Sequence, residues 1–270
     1  VCSSDLKDLY LYRATARLQA GLLDDAMADC QTLAQKYEMD ADCWFLSGKV
    51  ALAMDGYDEA SSDFEQAYGE DSSYDRAIQI YETYLEKDME ADGTRYLEAA
   101  LSSEAKDTDD MCDRGRIYCY MEDYGNAKTE LTNASSKGST EAVLLLGMVY
   151  GAQQDYVNAR AMYQQYINKM QDNTEKNFTK TAASGYNGLA VCDIAEGNYD
   201  SALENINSGI AAASDNEMQS LLFNEIVVYE KKLDFSTAQE KAQSYVGMYP
   251  EDEEAAHELA FLKSRTGAGE

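Results

Sequence analysis

Apolar residues along the chain arrive in short groups spaced three and four apart, the spacing that lines one face of an α-helix. A ten-residue phrase marks each recurrence: DGYDEASSDF at 55–64, EDYGNAKTEL at 122–131, QDYVNARAMY at 154–163, GNYDSALENI at 197–206 and LDFSTAQEKA at 233–242. Each holds an aromatic residue, Ala three positions on, and then, four further along, a residue that is usually large and apolar. With that alanine as anchor the register reads Ala26, Ala60, Thr94, Ala127, Ala159, Ala202 and Ala238, at spacings of 34, 34, 33, 32, 43 and 36. A period near 34 corresponds to one helical hairpin per repeat. The pattern therefore predicts an all-α chain of about seven antiparallel helix-turn-helix units, over 7–40, 41–74, 75–107, 108–139, 140–182, 183–218 and 219–250.

Two copies are degenerate, the third with Thr94 at the anchor and the first ending its phrase on Cys30. About nine extra residues separate the fifth and sixth anchors, and the polar NKMQDNTEKNFTKT at 168–181 implies a lengthened helix or a long, flexible loop. Residues 251–264 place Ala255, Leu259 and Leu262 on one helical face, as the closing cap of a helical array requires. Small residues, Gly48, Gly115, Gly147 and the anchor alanines, allow close helix approach, and Tyr57, Phe64, Tyr124, Tyr156, Tyr163 and Tyr199 are expected to fill the space between hairpins.

Composition agrees. The single proline, Pro250, leaves the helical stretches uninterrupted. No apolar run approaches the roughly 20 residues of a membrane span, so the chain is expected to be soluble. Its net charge of −28 repels phosphate backbones and anionic lipid, which argues against nucleic-acid or direct membrane binding. Six cysteines are too sparse for a disulfide scaffold, and Cys30, Cys43 and Cys192 fall inside helices. Cys112 and Cys119 share a helix face but lie too far apart to bridge. Mostly buried thiols lean towards a reducing compartment. The chain begins with Val1, so an upstream segment is expected; Cys2 before small polar residues suits a lipidated exported protein, although Val1 is not the small residue expected just before such a cysteine. The cytoplasm and a surface anchor therefore both stay open.

The second copy, DCWFLSGKVALAMDGYDEASSDFEQAYG, carries Trp44, Gly48, Tyr57, Ala60, Phe64 and Ala67. It resembles the tetratricopeptide repeat, with Ser47 and Ala51 as departures; Gly115, Tyr118, Gly147 and Tyr150 fit later copies, and Pro250 falls where the family's closing proline belongs. The resemblance covers roughly 7–250 and implies one right-handed α-solenoid superhelix with a capping helix over 1–270. It also implies that ligand contacts come from the second, fifth, ninth and twelfth positions of each repeat. Fifth positions are Leu11, Phe45, Gln79, Cys112, Leu144, Asn187 and Phe223; ninth positions are Thr15, Lys49, Thr83, Arg116, Met148, Val191 and Val227. Arg76 counts as a second position and Tyr120 borders the same face.

Leu11, Thr15 and Phe45 stand where the family's clamp for acidic C-terminal tails would need polar residues, which argues against that clamp. Lys49, Arg76 and Arg116 could receive an acidic peptide, unless groups such as Asp113 or Glu86 already pair them. Leu144, Met148, Val191, Phe223 and Val227 instead form an apolar stretch suited to an apolar segment. Catalysis lacks material. His257 is the one histidine, and DTDD at 107–110 and EDEE at 251–254 read as helix caps rather than cation sites. The sequence thus points to a bacterial-type, non-enzymatic scaffold for a protein or peptide partner, with no cofactor, metal or small-molecule substrate. Two alternatives are an exported lipoprotein of this fold acting in envelope assembly and an auxiliary repeat domain of a larger enzyme or regulator.

Overall fold

The computed structural model describes residues 3–172 and 181–267, and fifteen α-helices fill most of them. Contacts divide the chain into two compact units, Val1–Lys106 and Asp107–Glu270. The first pairs α1 (Ser3–Gln19) with α2 (Leu23–Lys36), α3 (Ala41–Ala53) with α4 (Tyr57–Glu70), and α5 (Tyr74–Leu85) with α6 (Glu90–Leu101). The second pairs α7 (Thr108–Tyr120) with α8 (Tyr124–Ser136), α9 (Thr140–Ala152) with α10 (Tyr156–Asp172), α11 (Ala183–Glu196) with α12 (Tyr199–Ala212), and α13 (Asp215–Lys231) with α14 (Phe235–Met248). A final helix, α15 (Glu253–Thr266), packs on α14. Within each unit the second helix of a hairpin also packs on the first helix of the next.

Several helix starts follow from short polar side chains that accept otherwise orphaned amides. Asp107 caps α7 and Asp252 caps α15, as the acidic clusters suggested. The polar insertion predicted at 168–181 falls mostly outside the described residues; its described start extends α10 to Asp172.

Every hairpin turn holds one residue in the left-handed region, five positions ahead of a small buried residue. The pairs are Gly21 and Ala26, Asp55 and Ala60, Asp88 and Gly93, Glu122 and Ala127, Gln154 and Ala159, Gly197 and Ala202, Leu233 and Ala238. The next amide bonds back to the last turn of the preceding helix, as Gly56 N does to Ala51 O at 2.8 Å and Asp234 N to Tyr229 O at 2.9 Å. This is the Schellman closure that satisfies free helix-end carbonyls.

That frame corrects the third repeat. Its anchor is Gly93, since a Cβ there would lie 2.9 Å from Tyr81 Cα, whereas Thr94 is half-buried and bonds its own helix. The N-cap Ser73 follows the N-cap Asp40 by 33 residues, so the whole repeat sits one residue earlier than the count from Thr94. A second correction concerns Tyr57, which is 49% exposed and fills no core, while Phe64 and Tyr163 are buried as expected.

Glycines set the helix spacing. A Cβ on Gly147 of α9 would lie 2.6 Å from the Tyr163 ring, and one on Gly188 of α11 only 2.4 Å from the same ring. Tyr163 is therefore held between the first helix of its own hairpin and that of the next. Gly188→Ala gains about 1 kcal/mol of helix propensity, yet overpacking costs about 1–3 kcal/mol, so we expect a net loss in chemical denaturation. In a Tyr163→Leu background the same change should cost at least about 1 kcal/mol less. Leu233 is exposed with φ 61°, a conformation costing a non-glycine residue about 1 kcal/mol. Leu233→Gly should accordingly raise the melting temperature by about 2–4 °C.

Candidate functional site

In the second unit α7, α9, α11 and α13 lie side by side, and α9 and α11 turn their fifth and ninth positions to a common groove. Helical periodicity explains this, because positions three to four apart share a face. A cleft of about 510 Å³ runs between α9 and α11, lined by Leu144, Met148, Asn187 and Val191 with Ser184 and Ser220. A neighbouring cleft of about 470 Å³ opens towards α7 and adds Arg116, Cys119, Tyr120 and Tyr124. The two share Leu144, Met148 and Ala152. A third, of about 330 Å³, shares Ser220 with the first and is lined by Phe223, Asn224, Tyr245 and Asp252. Met148 and Val191 are 55% and 47% exposed, unusual for large apolar side chains.

Polar groups rim this floor. Asn224 Nδ2 donates to Asn187 Oδ1 at 2.8 Å across two helices. Glu217 accepts five hydrogen bonds: from the Thr181 amide at 3.1 Å and hydroxyl at 2.8 Å, the Ser184 hydroxyl at 2.8 Å, and the Ser214 amide at 3.2 Å and hydroxyl at 2.9 Å. Partial burial opposes its ionisation, but these donors outweigh burial and hold its carboxyl below the ordinary value of 4.5. Glu217 thereby ties the start of α11 to the start of α13.

Two of the three cations, Arg76 and Arg116, are already paired within the chain. Arg76 sits in the first unit at the third position of the corrected register, a position that packs on the preceding helix rather than lining a groove. It is buried, ion-paired with Asp42 and with Asp71 at 3.5 Å, bonded to Gln79 at 2.9 Å, and stacked 4.8 Å from the centre of the Phe45 ring. Lys49 lies 5.7 Å from the centre of the same ring. Arg116, in the second unit, pairs with Asp113 at 2.9 Å, the intramolecular partner that the sequence offered.

Other expected contacts divide. Leu144, Met148, Asn187, Val191, Arg116 and Tyr120 converge on the joined clefts, and Phe223 reaches the third while packing edge-on to Tyr245 at 5.7 Å. Val227 is half-buried on α13 and lines none of the three. Cys112 is a correction: it is buried in the core between α7 and α9, 3.4 Å from Ser139 Oγ, and faces no groove. Ser184 and Ser220 were reachable by the same counting, as second positions of their repeats. Glu217 was reachable too, because Ser214-x-x-Glu217 is a capping-box pattern.

Burial pushes the Cys119 thiol up to about 11, so it is protonated at neutral pH and poorly nucleophilic. Among the described residues no three His, Cys, Asp or Glu side chains group as a metal site. Among the same residues no helix is long and apolar enough to cross a membrane.

No protein-family model and no curated protein sequence matches the chain. Solved structures do. A tetratricopeptide repeat protein from Parabacteroides merdae aligns with a TM-score of 0.64 at 12% identity, over 95% of this chain and 98% of that one. The APC/C hetero-tetramer Cut9–Hcn1 gives 0.52 at 15% identity, over 94% of this chain and 49% of that one, so this chain spans about half its length. The human IFIT1 dimer with m7Gppp-AAAA gives 0.51 at 17% identity, over 97% and 68%. These likenesses are of fold, and the fold is the all-α solenoid of tetratricopeptide hairpins.

The low carboxyl value of Glu217 makes a signed prediction. A depressed folded value contributes stability above the unfolded value of 4.5 and loses it as pH falls through the folded one. Glu217→Gln should cost about 1–3 kcal/mol at pH 7. In urea titrations, wild-type stability should fall more steeply below about pH 4.5 than that of the variant.

Proposed function

We propose that the chain is a non-enzymatic interaction scaffold, and that the groove across α9, α11 and α13 holds an extended or helical segment of a protein partner. The observation that carries this reading is the continuity of the apolar floor. Leu144 and Met148 belong to two adjoining clefts at once, and Val191 extends them on the next repeat. A floor that leaves Met148 and Val191 half exposed gains about 25 cal/mol for each Å² of apolar surface that a segment covers. The amide pair of Asn187 and Asn224 sits beside it, and its remaining donors and acceptors suit a peptide backbone.

The net charge of −28 supports a protein rather than a nucleic-acid partner. Because the arginines are already paired, contact area rather than recognition of a carboxylate would supply the affinity. The partner segment is accordingly apolar, with hydrogen bonds fixing its register.

A peptide-display selection on immobilised protein tests the proposal. Wild type should enrich a related set of apolar sequences, and Met148→Glu/Val191→Glu should bind them at least about tenfold more weakly. Equal binding by the two proteins, or no enrichment by wild type, would sink it.

A further inference from the structure

In the second unit Ile226 of α13 and Leu259 and Leu262 of α15 are buried together with Ala238, Ala242 and Tyr245 of α14. Glu230 follows Ile226 by about one helical turn, and Glu258 precedes Leu259, so two acidic side chains border this cluster from different helices. Their carboxyl groups meet there, within hydrogen-bond reach, and both residues are half-buried. Glu230 Oε1 is sealed from water and has no hydrogen-bond partner among the described residues. Buried carboxylates elsewhere in the chain hold donors. Asp29 pairs with Arg13 and Arg17, Asp193 with Arg160 and Asn205, and Glu225 with Lys241.

An ionised carboxylate only accepts hydrogen bonds, so two of them have nothing to exchange; the contact becomes a bond when one keeps its proton. A carboxyl O–H donating to a carboxylate is then of the short, charge-assisted kind. The surroundings favour that state. Among the described residues Lys231 is the one cation that acts on Glu230, and it is exposed near the helix end. The other charged groups on this stretch are engaged elsewhere. Asp234 caps α14 through Thr237, Lys232 pairs with Asp200 at 2.6 Å, Lys241 with Glu225 at 2.7 Å, and Arg265 lies over the Phe235 and Phe261 rings. On α15 Glu254 lines the third cleft, and His257 and Lys263 do not act on Glu230. Burial first, and then the Glu258 carboxyl, push Glu230 from an ordinary 4.5 up to about 7.

We propose that a proton shared between Glu230 and Glu258 latches α15 onto α13, and that losing this proton loosens α15. With both groups ionised, like charges meet across the seam and Oε1 becomes part of a buried charge without a donor. Asp252 and Glu254 at the start of α15 also line the third cleft, so loosening α15 alters that cleft as well. The latch acts whether or not the groove holds a partner segment. An acid with a raised folded value lends stability that is fully present below its unfolded value of 4.5 and is lost as pH rises through about 7. The contact is therefore tight in mildly acidic solution and weak in alkaline solution.

Hydrogen exchange of the α15 amides in the full chain tests the latch, read as protection factors so that the intrinsic pH dependence of exchange is removed. In wild type, protection across Glu253–Thr266 should fall by roughly fivefold to tenfold between about pH 6 and about pH 8.5. Glu230→Gln offers Glu258 a donor at every pH, and its profile should stay level. Glu258→Gln offers Glu230 the same and should flatten the profile too. His257→Gln removes the one histidine, the residue type that ordinarily titrates in this range, and should behave as wild type does. A level wild-type profile would overturn the proposal. So would a fall that persists in both glutamine variants of the pair, or one that disappears in His257→Gln.

Discussion

One distance governs this molecule: how closely the two helices of a hairpin approach at a single crossing. That crossing joins one residue of the first helix to another sixteen positions later on the second. The pairs are Gly48 with Phe64, Gly115 with Leu131, Gly147 with Tyr163, and Ala190 with Ile206, in each case small against large. In the seventh hairpin the order reverses, with Ile226 opposite Ala242 in one buried cluster. Interiors are packed to the density of organic crystals, so the summed volume at the crossing is constrained while its assignment to either helix is free. This freedom explains why the recurring phrase keeps its alanine strictly and its other letters loosely. The small anchor, Gly93 in the third repeat and alanine elsewhere, is buried in every copy.

That logic also shows where the fold was readable. The all-α hairpin architecture followed from apolar spacing because burial acts on every copy alike. The third repeat was misplaced by one residue because counting from the anchor's chemistry favoured Thr94 over its neighbour Gly93. The turn geometry fixes the frame unambiguously, yet in five of seven turns the left-handed residue is not glycine: Asp55, Asp88, Glu122, Gln154 and Leu233. A conformation enforced by the closing hydrogen bonds leaves no residue signature to read. Tyr57 misled for a related reason. Its aromatic character matched the phrase, but its hydroxyl bonds Asp55 in the turn and the ring stays half exposed.

The groove was legible in its rows and illegible in its charges. Position along a helix dictates direction, so counting sufficed to bring Leu144, Met148, Asn187 and Val191 to one surface. Long cationic side chains do not obey the count, since each can bend towards any carboxylate within reach. Arg116 turns to Asp113 one turn away, and Arg76 turns to Asp42 of the preceding repeat, 34 positions earlier. In a chain with more than twice as many carboxylates as cations, an arginine without an internal partner would be the exception. The floor of the groove is therefore apolar and amide, while Arg116 and Glu217 beside it are engaged within the protein.

The same position rule separates groove from array end. A first helix has three working faces: one for its own partner, one for the preceding hairpin, and one for the groove. Internal repeats consume the first two and leave the third. At α15 the face left without a partner carries Ala256, Ala260 and Lys263, small and partly charged, which suits contact with water. At α1 it carries Leu9 and Tyr12 instead. A substitution at positions three, six or ten of α1 should leave the fifth and ninth positions of α9 and α11 untouched, because these lie on a different helix face in a different unit.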